Sequence, residues 1–328
     1  MNAVERFRAV MAGQPVDRLP RWEWATWWGA TIDRWHGEGL PATLTDTFEI
    51  GQYFGHDPYR QFWFWTGRPA ASEGLPHGHG PVGSLDDYRR MRSELYPDPA
   101  KHLDAMRPWF ARQARGEVVT WATLDGFFWF ARALLGIERH LVAFHEQPEL
   151  LHAINADLAA FHLRIIRGMK AGAAPAFISF AEDMSYNHGP MISEAMFDQF
   201  MVPYYAKVIP ALREVGVVSI MDSDGDVTRM IPWLERAGIA GVLPLERNAG
   251  VDGMAIRRVH PEFVLVGHFD KMTMARGEAA MRAEFERLVP LMRSGRFIPS
   301  VDHQTPPGVS LAQYRTYLDL LREYTGDQ

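Results

Sequence analysis

The sequence predicts an α/β fold in which a parallel sheet closes into a barrel surrounded by helices. The chain has 328 residues, 47% hydrophobic and 23% charged, which is long enough to bury a large core. From about residue 172 onward, short apolar runs alternate with amphipathic stretches of helical length, a pattern typical of βαβ units. Five successive steps of this kind favour a closed barrel over an open sheet.

The N-terminal half is less regular. Residues 2–11 have the pattern of a helix, 19–24 that of a first strand and 118–124 that of a further strand. The aromatic stretch 127–136 follows as a helix. Residues 37–99 are rich in Pro, Gly and aromatic residues, and we interpret them as a helical and loop insertion that covers one end of the barrel.

In the C-terminal half the strands and helices are expected in strict alternation. The strands are predicted at residues 176–180, 217–221, 241–245, 263–266 and 297–301. The helices are predicted at residues 194–215, 227–237, 278–293 and 311–324. Asp226 and Ser310 stand where N-caps belong, and Gly238 and Gly295 stand where helices end. No change in composition divides the chain, so residues 1–328 are interpreted as one domain.

Charge and hydropathy exclude several classes of partner. The net charge is −6, and no block of Lys and Arg offers a surface for nucleic acid. No apolar run approaches the roughly 18 to 20 residues that span a bilayer. The N-terminus lacks the apolar core of a secretion signal, so a cytoplasmic protein that acts on a small molecule is expected. A homodimer is compatible with this composition.

The chain contains no cysteine. Disulfides, thiolate zinc ligands and a cysteine nucleophile are therefore excluded together. Any metal must be held by His, Asp or Glu.

Ionisable residues follow each predicted strand of the C-terminal half. They are Glu182, Asp183, Asp222, Asp224, Glu246, His268, Asp270, Lys271, Asp302 and His303. In a barrel these positions converge at the C-terminal face, where barrel enzymes place their chemistry. One acidic residue after one strand is more often a helix cap or a solvated loop residue, and Asp226 is assigned to that class. Five consecutive strand ends of the same character argue against that explanation for the whole set.

Asp222 and Asp224 lie two residues apart on extended chain, so their side chains point to the same side. Their repulsion is relieved when one carboxyl group keeps a proton or when a cation binds. A zinc ion held by Asp222, Asp224 and His303 with an open position is chemically reasonable. The alternative for His303 is a partly buried histidine bonded to a carbonyl group, and Asp270 and Lys271 are equally well explained as a structural ion pair.

Tryptophans are concentrated in the segments WEWATWW, FWFW and WATLDGFFWF. Most aromatic side chains of a globular protein belong to its core. Because WEWATWW follows the predicted first strand, Trp24 and Trp28, together with Trp121, are expected to form a flat apolar pocket above the acidic residues. Such a pocket suits a planar substrate.

The segments FAEDMSYNHGPMIS, MDSDGDV, LPLERNAGVD, VGHFDK and IPSVDHQTPPGVS, in this order, resemble the uroporphyrinogen decarboxylase-like superfamily. The opening helix followed by DRLP and an aromatic strand is also similar to its usual start. The resemblance covers nearly the whole chain and implies a (β/α)8 TIM barrel. This superfamily includes porphyrinogen decarboxylases and methyltransferases of corrinoid-dependent systems.

The departures from the family pattern favour the methyltransferase branch. Decarboxylases of the family typically carry an Arg-rich segment after the first strand, where this chain has the apolar WEWATWW. Thiol-methylating members hold zinc with a His-x-Cys pair and a later Cys, and the resemblance matches these places to Asp222, Asp224 and a position near His303. Oxygen ligands would leave zinc a stronger Lewis acid, suited to an ether oxygen.

We therefore predict a methyltransferase of the O-demethylase type that moves a methyl group from a methoxylated aromatic compound to a corrinoid protein. Glu182 or Glu246 would be the general acid, and His303 would act on the leaving oxygen. Trp24, Trp28 and Trp121 would hold the ring, with Asp270 and Lys271 also contacting the substrate. The alternatives are a metal-free decarboxylase of a small organic acid and a non-catalytic ligand-binding barrel.

Overall fold

The computed structural model describes residues 1–170 and 173–326, and its centre is one curved sheet of seven parallel strands. The strands of this sheet, in spatial order, are β1 (Tyr59–Phe64), β2 (Val119–Asp125), β3 (Phe177–Ala181), β6 (Val218–Asp222), β7 (Gly241–Leu245), β8 (Val264–Phe269) and β9 (Phe297–Val301). A two-stranded antiparallel hairpin, β4 (Ser185–Tyr186) and β5 (Gly189–Pro190), follows β3. Spatial order equals chain order in the large sheet, as in a singly wound barrel wall.

Helices cover the outside of the sheet. They are α1 (Ala3–Met11), α2 (Gly29–Gly37), α3 (Thr47–Tyr53), α4 (Leu85–Leu95), α5 (Ala100–Ala114), α6 (Phe127–Leu135), α7 (Ile137–Glu146), α8 (Pro148–Arg167), α9 (Glu194–Phe200), α10 (Val202–Glu214), α11 (Ile231–Ala237), α12 (Gly253–Val259), α13 (Glu278–Arg293) and α14 (Leu311–Tyr324). Short 3-10 helices occupy Ala70–Ser72, Thr228–Met230, Arg247–Ala249 and Lys271–Arg276. None of the helices in the described part of the chain has the length and apolar character needed to cross a membrane.

In the C-terminal half the predicted strands and the two last predicted helices are confirmed, whereas the helix predicted at residues 227–237 is a 3-10 helix, Thr228–Met230, followed by α11. All five predicted strands are present within a few residues of their expected ends, and α13 and α14 have the expected bounds. The predicted helix 194–215 is two helices that meet at Met201. Ser310 caps α14 in a capping box with Gln313, and Gly238 ends α11 with a φ of 85°. Asp226 accepts a hydrogen bond from the Thr228 amide, as expected of a capping residue.

The first strand was predicted in the wrong place. Residues 19–24 form no strand, whereas β1 lies at Tyr59–Phe64 inside the stretch interpreted as an insertion. Its parallel register with β2 begins at Tyr59 opposite Val119. The sequence YRQFWF lacks a clean alternation of polar and apolar residues and stands among Pro and Gly, so its strand character was hidden.

Residues 19–25 nevertheless fill the gap between the two edge strands, β9 and β1. The Trp24 amide donates to Ser300 Oγ at 3.2 Å, and the Asp57 amide donates to the Arg21 carbonyl at 2.7 Å. The Trp22 ring packs on Tyr59 with 5.1 Å between centroids. The α/β class with a parallel sheet is thus confirmed. Within residues 1–170 and 173–326, however, no eighth strand pairs with β1 and β9 to close the predicted eight-stranded barrel.

Aromatic rings fill the interior at the amino-terminal end of the sheet. Phe7 of α1 stacks on Phe177 at 5.2 Å, and Trp121 stacks on Phe177 at 5.1 Å. Trp22 meets Trp121 edge to face. This end is therefore closed by a core, and open space for chemistry remains at the carboxyl ends of the strands.

Candidate active site

The inner face of the sheet is identified by contacts between neighbouring strands. Thr123 Oγ1 lies 3.0 Å from Ser179 Oγ, whereas Thr120 on the opposite face bonds to Gln113 of α5. Alternation along β2 then places Asp125 on the inner face at the carboxyl end. In register, Asp125 stands beside Ala181, and Ala181 beside Asp222. One layer of the barrel mouth therefore carries two carboxyl groups separated by a small alanine.

Besides Asp125 of β2, five carboxyl groups lie at this end of the sheet, contributed by β3, β6, β7 and β9 or by the residues that follow them. They are Asp183, Asp222, Asp224, Glu246 and Asp302. We call them the acidic cluster.

Burial and mutual repulsion make the acidic cluster reluctant to ionise fully. Burial, followed by the charges of Asp183 and Asp224, raises the pKa of Asp222 well above its usual range. Burial, followed by the charges of Asp183 and Glu246, raises the pKa of Asp224 to about 7. Part of the cluster therefore retains protons near neutral pH and can supply them to a reacting group.

The loop after β6 holds two members of the cluster in place. The Gly225 amide donates to Glu246 Oε2 at 2.8 Å. Gly225 has a φ of 83°, and a Cβ atom there would lie 2.6 Å from the backbone of Tyr186. Only glycine fits this close approach, so the turn that directs Asp224 toward the mouth depends on it.

His303 is the imidazole of the site. Its Nε2 lies 3.7 Å from Asp224 Oδ2, and burial, as the largest cause, lowers its pKa. The Trp24 ring meets it edge to face, with 5.6 Å between centroids. The structure thus brings three predicted site residues together: Asp224, His303 and Trp24.

The predicted zinc ligand set is not assembled by these side chains. In the described ranges, no group of three or more His, Asp and Glu side chains is arranged to hold a metal ion. Asp224 and His303 lie close together, but the residues as placed do not fit the expected set of Asp222, Asp224 and His303. We therefore derive no chemical step through zinc.

Glu182, predicted as a general acid, is a buried cap of helix α6. Its carboxylate accepts the amides of Phe127, Phe128 and Trp129 at 2.8, 2.6 and 3.1 Å, and it also accepts the Tyr205 hydroxyl. Burial raises its pKa to about 7, while these hydrogen bonds lower it. Because its oxygens are engaged by the helix start and it is fully buried, this placement does not support a catalytic role.

Asp270 and Lys271 do not form the ion pair that was considered for them. Asp270 caps the 3-10 helix Lys271–Arg276 through the Met272 amide at 2.9 Å. Lys271 Nζ instead bonds to Asp302 Oδ1 at 3.0 Å. The charge of Lys271 opposes part of the rise in the pKa of Asp224 that burial causes, so Lys271 belongs to the site, whereas Asp270 serves the local backbone.

The three tryptophans predicted to bind the substrate ring lie in three different environments. Trp24 is 9% exposed and lies beside His303 at the mouth, whereas Trp28 is 50% exposed at the start of α2. Trp121 is buried in the aromatic core and donates its Nε1 hydrogen to Ser179 Oγ at 2.8 Å, so it cannot hold a substrate ring. His268, another of the predicted strand-end residues, is also buried, and its Nε2 lies 3.0 Å from Arg287 Nη1.

Sequence reasoning missed two residues of the mouth. Asp125 is 4% exposed, with burial raising its pKa, and accepts both the amide and the hydroxyl of Thr66 at 2.8 Å. It follows the strand rule used for the C-terminal half, which would have found it. Trp63 is on the inner face of β1, 39% exposed and stacked on Trp65 at 6.4 Å. Its signal was lost because β1 was not recognised.

Comparisons with known proteins agree with this architecture. The sequence model of the family named Uroporphyrinogen decarboxylase (URO-D) matches residues 69–324. A uroporphyrinogen decarboxylase of Ectopseudomonas mendocina is 24% identical over 329 residues, 94% of this chain and 81% of the relative. One from Bordetella pertussis is 29% identical over 151 residues, 43% of this chain and 38% of the relative. A solved methyltransferase from Methanosarcina mazei covers 98% of each chain with a TM-score of 0.66 and 16% identity, which shows a shared fold.

Proposed function

The chain belongs to the uroporphyrinogen decarboxylase family, and we propose that it is a methyltransferase that moves a methyl group from a methoxylated aromatic compound to the cobalt of a corrinoid protein. The assignment of the chain as an enzyme of this family is supported by the family match and by the fold that it shares with the methyltransferase. The substrate class and the corrinoid partner are the proposal.

The observation that carries the proposal is the apolar wall of the mouth. In the gap between β9 and β1, where the family's decarboxylases are expected to carry arginines, the indole of Trp24 lies against His303. A porphyrinogen presents several carboxylates that require cationic partners. An indole wall instead favours an uncharged aromatic ring.

Demethylation breaks the bond between oxygen and the methyl carbon, and the aryl oxide that departs must take up a proton. The corrinoid, when bound, supplies the cobalt that accepts the methyl group. Exposed Trp63 and Trp65 form an apolar rim at the mouth that a planar macrocycle can contact.

The residues of the chain orient the substrate and provide the proton. Trp24 contacts the ring, and Glu246 passes a proton of the acidic cluster to the departing oxygen. One oxygen of Glu246 is held by the Gly225 amide, and the other has no protein partner within the described residues. Asp224 and His303 are close enough to share a proton on the same side of the mouth.

The test follows the spectrum of a reduced corrinoid protein when the enzyme and a panel of methoxyarenes are added. Conversion to the methylated corrinoid is expected with at least one methoxyarene and is expected to weaken strongly in Glu246→Gln and Trp24→Ala. Glu286→Gln on the exposed side of α13 is the matched control. Failure of every methoxyarene would overturn the proposed substrate class, and elemental analysis of the same preparation tests the predicted zinc separately.

A second candidate, decarboxylation of a small organic acid, is favoured by the names of the curated relatives. In this reading the acidic cluster relays a proton to the carbon that loses carbon dioxide, and no metal takes part. Release of carbon dioxide from candidate acids, with no transfer to corrinoid, would favour it. Binding of a methoxyarene without turnover in either assay would favour the ligand-binding barrel.

A further inference from the structure

Glu23 is a fully buried carboxyl group on the segment that fills the gap in the sheet. Its Oε2 accepts hydrogen bonds from Ser300 Oγ at 2.6 Å and from the Val301 amide at 3.0 Å. The Tyr314 hydroxyl of α14 donates to Oε1 at 3.4 Å. Glu23 therefore points outward, between the sheet and α14, and has no contact with the mouth.

Its neighbour Trp24 is bound to the same two residues of β9. The Trp24 amide donates to Ser300 Oγ at 3.2 Å, and its indole Nε1 donates to the Val301 carbonyl at 2.7 Å. Ser300 Oγ thus accepts from Trp24 while it donates to Glu23. We call Glu23, Trp24, Ser300 and Val301 the Glu23 clasp.

The clasp replaces the ladder that an eighth strand would form with β9. Ladder bonds hold a strand through backbone groups alone, so its side chains can be exchanged without loss of pairing. Here two of the four bonds go to the Glu23 carboxylate and one comes from the Trp24 indole. The seam therefore depends on the identity of these side chains.

The Glu23 clasp also determines the position of the Trp24 indole. Trp22, on the other side of Glu23, is buried against Trp121, while Trp24 meets His303 at the mouth. Glu23 points outward, whereas Trp22 and Trp24 on either side of it point inward, so the side chains alternate as in a strand although no strand is formed. The orientation of Trp24 then follows from the anchoring of Glu23.

We propose that Glu23, acting through Ser300, is a positioning residue that holds the Trp24 indole against His303 and so shapes the aromatic wall that receives the substrate ring. Glu23 touches neither the substrate nor the reacting atoms. The role in substrate binding rests on the proposed function, whereas the positioning of Trp24 is independent of it.

The direct readout is the indole N–H resonance of Trp24 in ¹⁵N-labelled protein. The resonance is assigned by its disappearance in Trp24→Phe, and its chemical shift reports the hydrogen bond to the Val301 carbonyl. Glu23→Ala and Ser300→Ala are expected to shift or broaden this resonance while most other indole resonances stay in place. Glu23→Gln keeps an acceptor for Ser300 and Val301, so it is expected to restore the wild-type position.

Ser294→Ala, which removes a hydroxyl bonded to the Leu291 carbonyl at the end of α13, is the matched control. Ser300→Ala removes one oxygen atom and keeps the test open if Glu23→Ala does not fold. An unchanged Trp24 resonance in both clasp variants would overturn the proposal. In the methyl-transfer assay, Ser300→Ala should raise KM about tenfold with little change in kcat, a split expected of a lost binding contact. If no methyl transfer is found, the resonance still decides the positioning role and only the proposed function fails.

Discussion

Replacement of Glu182 tests whether this residue stabilises the fold or takes part in chemistry. In Glu182→Ala, the amides of Phe127, Phe128 and Trp129 at the start of α6 lose their acceptor. Three buried N–H groups without partners cost about 2 kcal/mol each, or roughly 6 kcal/mol together. Removal of a carboxyl group whose pKa is raised to about 7 from 4.5 offsets about 3 kcal/mol at pH 8. The expected net loss in the free energy of unfolding is about 3 kcal/mol.

Glu182→Gln separates the charge from the hydrogen bonds. Its carbonyl oxygen can accept two of the amides, and the Tyr205 hydroxyl can rotate to accept from its NH2 group. One amide, that of Phe127, is left without an acceptor, at a cost of about 2 kcal/mol, which the relief of charge burial offsets. This variant is therefore expected within about 1 kcal/mol of the wild type.

Urea denaturation at pH 8, followed by far-ultraviolet circular dichroism, measures both variants. The helix-cap explanation fails if Glu182→Ala loses less than about 1 kcal/mol. It also fails if Glu182→Gln folds normally but loses methyl transfer more than about a hundredfold, since that is the behaviour of a catalytic acid.

Three further expectations follow from the site. Burial raises the pKa of Glu23 from 4.5 to about 7, so the folded state holds this proton longer than the unfolded state, and stability falls as pH rises from 4.5 to 7. The stability difference between wild type and Glu23→Gln, from urea denaturation at pH 5 and pH 8, should shift by about 2.5 kcal/mol, and a constant difference would contradict this. Gly225→Ala should lower the free energy of unfolding by about 2 kcal/mol or more, because of backbone strain and collision with Tyr186. Gly216, with a φ of 76° and open space around it, is the control, and Gly216→Ala should lower the free energy of unfolding clearly less. Equal losses in urea denaturation would reject the collision. Asp224→Asn should raise Tm slightly at pH 8 but not at pH 5, because its pKa of about 7 leaves Asp224 protonated at pH 5. Scanning fluorimetry at both pH values measures this, and an equal rise in Tm at both would contradict it.

The C-terminal half could be predicted because its signals are local. Strands such as Phe297–Val301 are short apolar runs, and α14 is bounded by a capping box that four consecutive residues specify. The position of Asp224 and His303 at one end of the sheet follows from parallel strand order alone. Their 3.7 Å approach could not be predicted in the same way, because it depends on the turn at Gly225 and on packing from Trp24.

The contact of Glu182 with the start of α6 could not be predicted, because strand-end position does not reveal which way a side chain turns. Asp183, the next residue, has a φ of 41° and remains coupled to Asp224 and Glu246. Glu182 turns instead toward the amides at the start of α6, which no local pattern announces. Gly126 allows this contact, because a Cβ atom there would lie 2.2 Å from the Glu182 carboxyl carbon.

In the segment WEWATWW the side-chain alternation was predicted correctly, but the strand predicted at residues 19–24 is absent. Its alternation of Trp22, Glu23 and Trp24 has the period of a strand, and the side chains do alternate between the inside and the outside of the sheet. Strand assignment requires a ladder of backbone bonds, whereas this segment is bound to β9 mainly by side chains. The same substitution of side-chain for backbone bonding leaves an indole, where the family's decarboxylases are expected to carry arginines, facing His303. The side chains that hold this segment to β9 therefore also place the Trp24 indole beside His303.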